Sequence, residues 1–276
     1  MHDLKEKVIS LQNLETEFTI FDYKFFQTSD YNMSKTFLSA EWRKLIMINY
    51  SLDKKDKKIL EPFIPYNTEL DLWNDKCYIS LVGFMFLNTR LKNIKIPFHR
   101  NFEEVNLRFY VRHFNKENNE WRRGVVFIKE IVSKRALSFI ANNLYKENYE
   151  TMPMSHNWES DQNAGELSVE YKWKKYEDWN SIKVIAGTEL SKIEKESEAE
   201  FITEHYWGYT KINESSTSEY GVTHPRWEIY KTIDYYINVN FENTYGNEFG
   251  FLNSETPVSV FLAEGSEIEV KEGRKI

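Results

Sequence analysis

Two short stretches of the chain combine histidine, arginine and tryptophan in a pattern that could bind and act on a small anion. The first is FITEHYWGYT at 201–210, which contains His205 and Trp207, and the second is HPRW at 224–227. Arginine presents a planar set of donors that fits a carboxylate or a phosphate. A neutral histidine can exchange a proton near pH 7, and an indole ring supplies an apolar wall. These residue types together predict a pocket for a small anionic or polar ligand.

The relative position of the two stretches depends on the turn between them. We interpret both as strands of a hairpin whose polar loop is NESSTS at 213–218. With the turn centred in the middle of that loop, His205 faces Arg226 and Trp207 faces His224, so one face carries all four side chains. The alternative interpretation involves no ligand, because the arginine can stack on a tryptophan while the histidines fill polar niches.

A second candidate site is the polar face of the alternating segment EEVNLRFYVRHF at 103–114. Its apolar face consists of Val105, Leu107, Phe109 and Val111. Its polar face consists of Glu104, Asn106, Arg108, Tyr110 and Arg112. Such charges are either solvated and paired along the sheet, or they line an internal cavity where their pKa values shift. On the second interpretation the predicted catalytic residues are Glu104 and His205, and the predicted ligand-binding residues are Arg108, Tyr110, Trp207, His224 and Arg226.

Other kinds of chemistry lack a sequence signal. The single cysteine, Cys77, lies in the apolar run KCYISLVGFMF, which predicts a buried thiol rather than a nucleophile. No His-x-x-x-His spacing, Gly-rich phosphate loop or Gly-x-Ser-x-Gly elbow occurs. Lys174 and Lys175 point to opposite faces of a predicted strand, so we interpret them as solvated rather than as a Schiff-base pair. We therefore predict neither a metal nor a cofactor.

The composition narrows the class of protein. The chain has 276 residues, 16% of them aromatic, and a net charge of −7. This length suits a single domain at 1–276, and the acidic balance argues against a nucleic-acid partner. The first residues lack a signal-peptide core, and no apolar run approaches the about 20 residues of a membrane span. We expect a cytoplasmic protein without a membrane partner, and an exposed edge strand would allow a homodimer.

Strand patterns dominate the rest of the chain. Segments 42–52, 76–91, 103–114, 121–133, 168–176, 179–187, 201–210, 224–233 and 257–270 read as strands, the last as two short strands around the Gly265-Ser266 turn. One segment, 133–149, has the period of a helix and begins at the candidate N-cap Ser133. Shorter helices or turns are predicted after Asp53, in 192–200 and in 241–252, whereas 1–39 is an unassigned N-terminal extension. The predicted fold class is mainly β or α+β, largely antiparallel and barrel-like.

Several motifs taken together resemble the YqjF-like family of uncharacterised proteins, domain of unknown function 2071. The resemblance runs in order over about 40–272 and is most specific in EHYWGY and HPRW. Its motifs are NY at 49–50, PFIP at 62–65, LVGF at 81–84, FEEVNLRFYV at 102–111, GVVF at 124–127, EHYWGY at 204–209, HPRW at 224–227 and SVFLAEGS at 259–266.

The resemblance implies a fold more than an activity. The family is distantly similar to the acetoacetate decarboxylase superfamily, which implies a large closed antiparallel β structure around a cavity, with a few outer helices. The decarboxylases use a Schiff-base lysine, but the corresponding region SKRALSFIANNLYK places Ala141 where that lysine would stand. We therefore do not expect acetoacetate decarboxylase activity, because fold alone does not carry chemistry.

Three functions remain open at this point. The first is a pocket that binds or acts on a small, anionic organic ligand. The second is a non-catalytic protein that binds or senses an apolar or amphipathic ligand, which the aromatic content favours. The third is a structural domain whose cavity is filled, which predicts no pocket of about 300 Å³ or more.

Overall fold

The computed structural model describes residues 35–53, 57–95, 99–134 and 148–276. Within these ranges the chain forms one sheet of fifteen strands and two short α-helices. The strands are β1 Thr36–Leu52, β2 Glu69–Leu70, β3 Cys77–Leu91, β4 Ile94–Lys95, β5 Phe102–Asn115, β6 Glu120–Val132, β7 Tyr149–Thr151, β8 Met154–Asp161, β9 Glu166–Lys175, β10 Asp178–Lys192, β11 Trp207–Asn213, β12 Ser216–Thr223, β13 Glu228–Asn238, β14 Ser259–Lys271 and β15 Arg274–Lys275. The α-helices are α1 Glu198–Thr203 and α2 Phe241–Tyr245, and 3₁₀ turns lie at Lys57–Ile59, Glu61–Phe63 and Asn247–Asn253.

Seven of the strands form a closed ring. Hydrogen bonds join them in the order β12, β11, β6, β5, β3, β1 and β14, and β14 pairs with β12 to complete the circuit. The closing contact is short, since it pairs only Val222 with Val270 and Thr223 with Glu269. The predicted large closed β structure is therefore confirmed.

The sheet is mixed rather than wholly antiparallel. Strand β11 lies parallel to β6, with Trp207 opposite Gly124 and Gly208 opposite Val125, and β7 is also parallel to β6. The prediction of an antiparallel sheet is wrong at these two places. A hairpin would have forced antiparallel pairing, but the chain enters β11 from helix α1 and a short connection instead.

The outer face of the ring is covered by the rest of the same sheet. Strands β13, β10, β9 and β8 continue from β14, and their side chains share one apolar core with the ring. In this core the fully buried Tyr171 and Trp173 of β9 pack with Val105 and Leu107 of β5. Burial of one such large apolar side chain contributes about 1.5–3 kcal/mol, so this shared core stabilises the ring.

Most of the predicted strands are confirmed, and the β5–β6 hairpin is present as expected. The turn at Asn74-Asp75 is also present, because both residues have positive φ immediately before β3. The segment 257–270 is a single strand rather than two, because Gly265, with φ +81°, bends β14 without interrupting its pairing with β1. The predicted helix at 133–149 lies mostly outside the described residues, and Tyr149 at its far end begins β7.

The prediction of a strand at 201–210 is wrong for its first six residues. Phe201, Ile202 and Thr203 belong to α1, and β11 begins only at Trp207. The helix starts where the Ser197 hydroxyl accepts a hydrogen bond from the Glu200 backbone N–H at 3.2 Å. This N-cap, with carboxylates in the first turn, stabilises the helix against the strand preference of the aromatic residues that follow.

None of the α-helices in the described ranges is long and apolar enough to cross a membrane.

Candidate functional site

A cavity of about 140 Å³ lies inside the ring, and every strand of the ring contributes to its wall. An engineered apolar cavity of about 150 Å³ holds one molecule of benzene, so this volume suits a ligand of about six heavy atoms. The polar side chains of the wall are Thr89, Glu104, Asn106, Arg108, Glu130, Thr203, His205 and His224. Its aromatic side chains are Phe37, Trp42, Phe84, Phe86, Phe102, Phe127, Tyr149, Trp207, Tyr220 and Trp227.

The polar face of β5 supplies one side of the cavity. The alternation expected in this segment is confirmed, since the apolar face packs in the outer core while Glu104, Asn106 and Arg108 line the cavity. The Asn106 side-chain amide donates to Glu104 Oε1 at 3.0 Å, and the Tyr149 hydroxyl donates to Glu104 Oε2 at 3.4 Å. Glu104 is thus held in a fixed position on the wall. Arg112 lies beyond the cavity and pairs with the exposed Glu69.

Arg108 is a buried cation in an unusual environment. It makes no hydrogen bond or ion pair with the described residues, and its buried Nε has no acceptor. Its nearest aromatic contact places the guanidinium carbon 5.6 Å from the centre of the Tyr110 ring. A buried guanidinium without a carboxylate costs several kcal/mol unless another group neutralises it. The guanidinium therefore attracts an anion at this point of the wall, which also carries the carboxyl groups of Glu104 and Glu130.

His205 belongs to the connection between α1 and β11, and its side chain lines the cavity. Its side chain is 1% exposed, and its Nε2 lies 3.1 Å from Asp71 Oδ2. Burial lowers the pKa of His205 to about 4, an effect that the hydrogen bond to Asp71 opposes and that the charges of Arg123 and Arg108 reinforce. His205 is consequently neutral at pH 7.

Asp71 determines which nitrogen of His205 carries the proton. Burial raises the Asp71 pKa, but contacts with His205 and Arg123 outweigh it, so the net pKa is below its usual value and the carboxylate is ionised. Arg123 Nε donates to Asp71 Oδ2 at 2.6 Å. An ionised carboxylate only accepts, so the shorter contact, with Asp71, assigns the proton to His205 Nε2. Arg123 Nη2 also lies 3.3 Å from this nitrogen, but it has an acceptor in the Phe201 carbonyl oxygen at 3.3 Å. The buried Nδ1 is then a lone-pair acceptor, and it has no partner among the described residues.

His224 lies at the mouth of the cavity within a stack of rings. Its ring centre is 4.3 Å from that of Trp227 and 4.7 Å from that of Tyr206. Its Nδ1 lies 2.9 Å from the Pro225 carbonyl oxygen, which can only accept, so Nδ1 donates. Burial lowers the His224 pKa, and the hydrogen bond to Pro225 opposes that shift. His224 also borders an outer groove of about 610 Å³, so it stands between the solvent and the cavity.

The structure does not bring Arg226 into the cavity, contrary to the prediction. Its side chain is 44% exposed and forms ion pairs with Glu200 and Glu204. The predicted pairing of His205 with Arg226 and of Trp207 with His224 is also wrong, since Trp207 pairs with Gly221. The physical reason is that α1 and an irregular connection occupy the residues assumed to be strand, and 224–227 is an irregular connection as well.

Two other predicted residues lie close to the site. Trp207 lines the cavity, and the Arg122 guanidinium carbon lies 4.2 Å from the centre of its ring. Tyr110 is buried behind the wall, where its ring centre is 4.5 Å from that of His205 and its hydroxyl donates to Ser80 Oγ at 2.8 Å. Tyr110 therefore supports the His205 ring and is not among the described residues of the cavity wall, which corrects its prediction as a ligand-binding residue.

The sequence interpretation missed Asp71 and Glu130. Asp71 is 134 positions from its partner His205, and nothing local to ELDLWND marks it as a buried carboxylate. Glu130 lines the cavity opposite Asn106, but alternation on β6 from Val125 and Phe127 would have pointed to Lys129 instead, because the β5–β6 register shifts between Leu107 and Arg108. Within the described residues no cluster of three or more His, Cys, Asp or Glu side chains could hold a metal ion.

The low pKa of His205 predicts an acid-sensitive fold. The unfolded chain binds a proton at His205 near pH 6.5, whereas the folded chain binds it near pH 4. Stability is therefore full above pH 6.5 and decreases by about 3 kcal/mol as the pH falls to 4. The His205→Asn variant, which keeps a donor for Asp71 but does not titrate, is expected to lose less stability over this range in urea unfolding. Equal losses in both proteins would contradict the assignment.

The arrangement of strands is similar to that of solved acetoacetate decarboxylases and related enzymes. Acetoacetate decarboxylase from Legionella pneumophila aligns with a TM-score of 0.58 and 10% identity, over 91% of this chain and 93% of that chain. An acetoacetate decarboxylase-like enzyme from Sphingomonas wittichii RW1 gives 0.59 and 9%, over 89% and 94%. The enduracididine biosynthesis enzyme MppR complexed with pyruvate gives 0.59 and 11%, over 90% and 94%. The fold is therefore acetoacetate decarboxylase-like, and at these identities the similarity concerns the fold alone.

Residues 39–267 match the model of the DUF2071 family, described as uncharacterized conserved proteins. The chain belongs to this family, and the resemblance to it noted in the sequence is confirmed. The uncharacterized protein YqjF of Bacillus subtilis (strain 168) is 34% identical over 76 residues. That match spans 27% of this chain and 30% of YqjF, so it covers less than a third of the curated relative.

Proposed function

We propose that the ring encloses a binding site for a small organic anion, and that Arg108 is the residue that attracts it. The observation that carries this proposal is a buried guanidinium on a cavity wall with no ion pair among the described residues. A bound carboxylate would remove the cost of that isolated charge and would accept two parallel hydrogen bonds from it. The aromatic remainder of the wall would pack against a short carbon skeleton.

The size of the cavity limits the ligand to a small molecule. At about 140 Å³ the cavity is smaller than the about 300 Å³ expected of a site for a drug-sized ligand, as the hypothesis of a filled structural domain predicts. It is nevertheless too polar to be an ordinary packing void, because two glutamates, an arginine, two histidines and an amide share its wall. In a domain whose cavity binds nothing, a well-packed apolar side chain at position 108 would be at least as stable, so the arginine favours a binding role.

If the bound molecule reacts, we propose His205 as the proton acceptor and Glu104 as the second acid–base group. At a pKa of about 4 the imidazole of the ligand-free protein is a poor base. The Arg108 charge contributes to that low pKa, so an anion bound to Arg108 would raise it. Asp71 would stabilise the imidazolium that forms, in the manner of a carboxylate that orients a catalytic histidine. Binding of the anion would thus activate the base.

A second function, non-catalytic binding of an apolar or amphipathic molecule, is favoured by one observation. Ten aromatic side chains line the cavity, Trp42 and Trp227 among them. A ligand held mainly by these rings would bind without Arg108. The two functions therefore differ in how strongly binding depends on this arginine.

The test compares Arg108→Gln with Arg226→Gln as a matched control. Unbranched carboxylates of two to five carbons are titrated into each protein by calorimetry, and native mass spectrometry of the purified protein shows any retained molecule. A charge-assisted hydrogen bond contributes about 1.5–3 kcal/mol, so Arg108→Gln is expected to bind at least tenfold more weakly. Arg226, which is exposed and paired with glutamates, is expected to change affinity less than twofold. Equal affinities in wild type and Arg108→Gln would contradict the proposal.

A further inference from the structure

Two buried acceptor atoms near Arg108 lack a donor. Asn106 Oδ1 and His205 Nδ1 make no hydrogen bond within the described residues, and both side chains line the cavity. Asn106 is 1% exposed, and the His205 side chain is 1% exposed. A buried acceptor left without a donor costs about 1–3 kcal/mol. A ligand that donates hydrogen bonds to these atoms therefore binds this cavity more tightly than a ligand that only accepts them.

The roles of these two atoms are fixed by their other contacts. The Asn106 amide nitrogen is the atom that donates to Glu104 Oε1, because a carboxylate oxygen accepts, and this leaves Oδ1 as the free end. The Nε2–H of His205 is directed at Asp71, and this leaves Nδ1 with its lone pair. Neither atom can become a donor without breaking a buried hydrogen bond. Both therefore select for an N–H or O–H group on the ligand.

The distances suit one small molecule. Asn106 and Arg108 are two residues apart on the same face of β5, so their Cβ atoms are about 7 Å apart. The Arg108 charge is close enough to His205 to affect its ionisation. A molecule of about six heavy atoms can contact Arg108 at one end and reach an acceptor with a substituent two or three bonds away.

We infer that the ligand is a small carboxylate that carries a hydroxyl or another hydrogen-bond donor, and not the corresponding keto acid. This inference rests on the proposed anion site at Arg108 and specifies its ligand class. A keto oxygen only accepts, so it would bring lone pairs against Asn106 Oδ1 and His205 Nδ1. A hydroxyl group satisfies one of the two acceptors and accepts from neighbouring donors in return. A site that bonds a hydroxyl group discriminates strongly against analogues that lack it.

The test is a calorimetric titration of the wild-type protein at pH 7.5 with three matched ligands: 3-hydroxybutyrate in both enantiomers, acetoacetate and butyrate. Lactate, pyruvate and propionate repeat the comparison with a shorter skeleton. One hydroxy acid is expected to bind at least tenfold more tightly than the keto acid and the unsubstituted acid of the same length. The Asn106→Leu variant is expected to lose this preference, so that the hydroxy, keto and unsubstituted acids of one length bind with similar affinity. Arg108→Gln is expected to weaken all ligands together.

The outcomes separate this inference from the proposed function. If the carboxylates bind through Arg108 but the keto acid binds as well as the hydroxy acid, the ligand class inferred here is wrong and the anion site stands. If no carboxylate binds to the wild-type protein, both are overturned. The wild-type comparison needs no variant, so a failure of Asn106→Leu to fold would leave the main result decisive.

Discussion

Replacement of Gly265 by alanine is expected to lower the free energy of unfolding by about 4 kcal/mol. Gly265 has φ +81°, a conformation that residues with a side chain adopt only under strain. A Cβ at this position would also overlap the backbone carbonyl oxygen of Trp42. That oxygen belongs to β1, which is hydrogen-bonded on both sides, so it cannot move away without breaking strand pairs. Urea unfolding followed by tryptophan fluorescence measures the loss.

Gly187→Ala is the matched control for this prediction. Gly187 is also in a strand, but it has no positive φ and nothing lies within 4 Å of an added Cβ. Its replacement is expected to change stability by less than about 0.5 kcal/mol. If Gly265→Ala were as stable as Gly187→Ala, the bend of β14 would not depend on glycine.

The same glycine has a part in shaping the cavity. Ser266, the next residue, accepts a hydrogen bond from Trp227 Nε1 at 2.9 Å, and Trp42 lies opposite the bend. Both tryptophans line the cavity, with their ring centres 6.2 Å apart. A shift of β14 at Gly265 would therefore displace two parts of the wall at once.

Glu219→Gln is expected to destabilise the protein by about 3 kcal/mol. The Glu219 side chain is fully buried between two arginines, with Arg122 Nη1 at 3.1 Å and Arg274 Nε at 2.7 Å from Oε2. The Tyr209 hydroxyl donates to Oε1 at 3.3 Å. Glutamine has nearly the same shape, so the change removes the charge and leaves two guanidinium groups without their shared carboxylate. Thermal and urea unfolding measure the effect.

Glu214→Gln provides the comparison, because its side chain is 91% exposed and pairs with Lys211 at 2.8 Å. A pair of this kind contributes about 0–1 kcal/mol, so we expect little change. Equal effects of the two substitutions would show that the Glu219 cluster does not hold β12 and β15 together.

The polar wall of the cavity could be predicted from the sequence because its signal is local. The alternation from Glu104 to Val111 assigns each side chain to a face without knowledge of its neighbours. The only further question is whether the polar face is directed at a cavity or at solvent. Its answer places Glu104, Asn106 and Arg108 together. The family resemblance favoured the cavity, and the structure agrees with that choice.

The positions of His205 and His224 on the cavity wall could not be predicted in the same way. The register of His205 against 224–227 was derived from an assumed hairpin, and a short helix before β11 removed that assumption. The helix carries its own signal in Ser197 and Glu200, which have the spacing of a capping box. The aromatic residues after them argued more strongly for a strand. His205 and His224 nevertheless line one cavity. They are placed there by the connections before β11 and before β13, and not by strand pairing with each other.

Neighbouring strands of the ring are paired over very different lengths, and this affects where a ligand enters the cavity. Strands β1 and β3 are held by a dozen residue pairs, whereas β11 meets β6, and β12 meets β14, through two pairs each. These two short strand pairings lie on either side of one hairpin, β11–β12. The residues of these pairings that line the cavity are Trp207, Gly208, Val222 and Val270. Two strands that pair over a short length separate at a lower free energy than two strands that pair over a long one. The β11–β12 hairpin is therefore the part of the ring that we expect to open at the lowest free energy, and a ligand is expected to enter the cavity beside it.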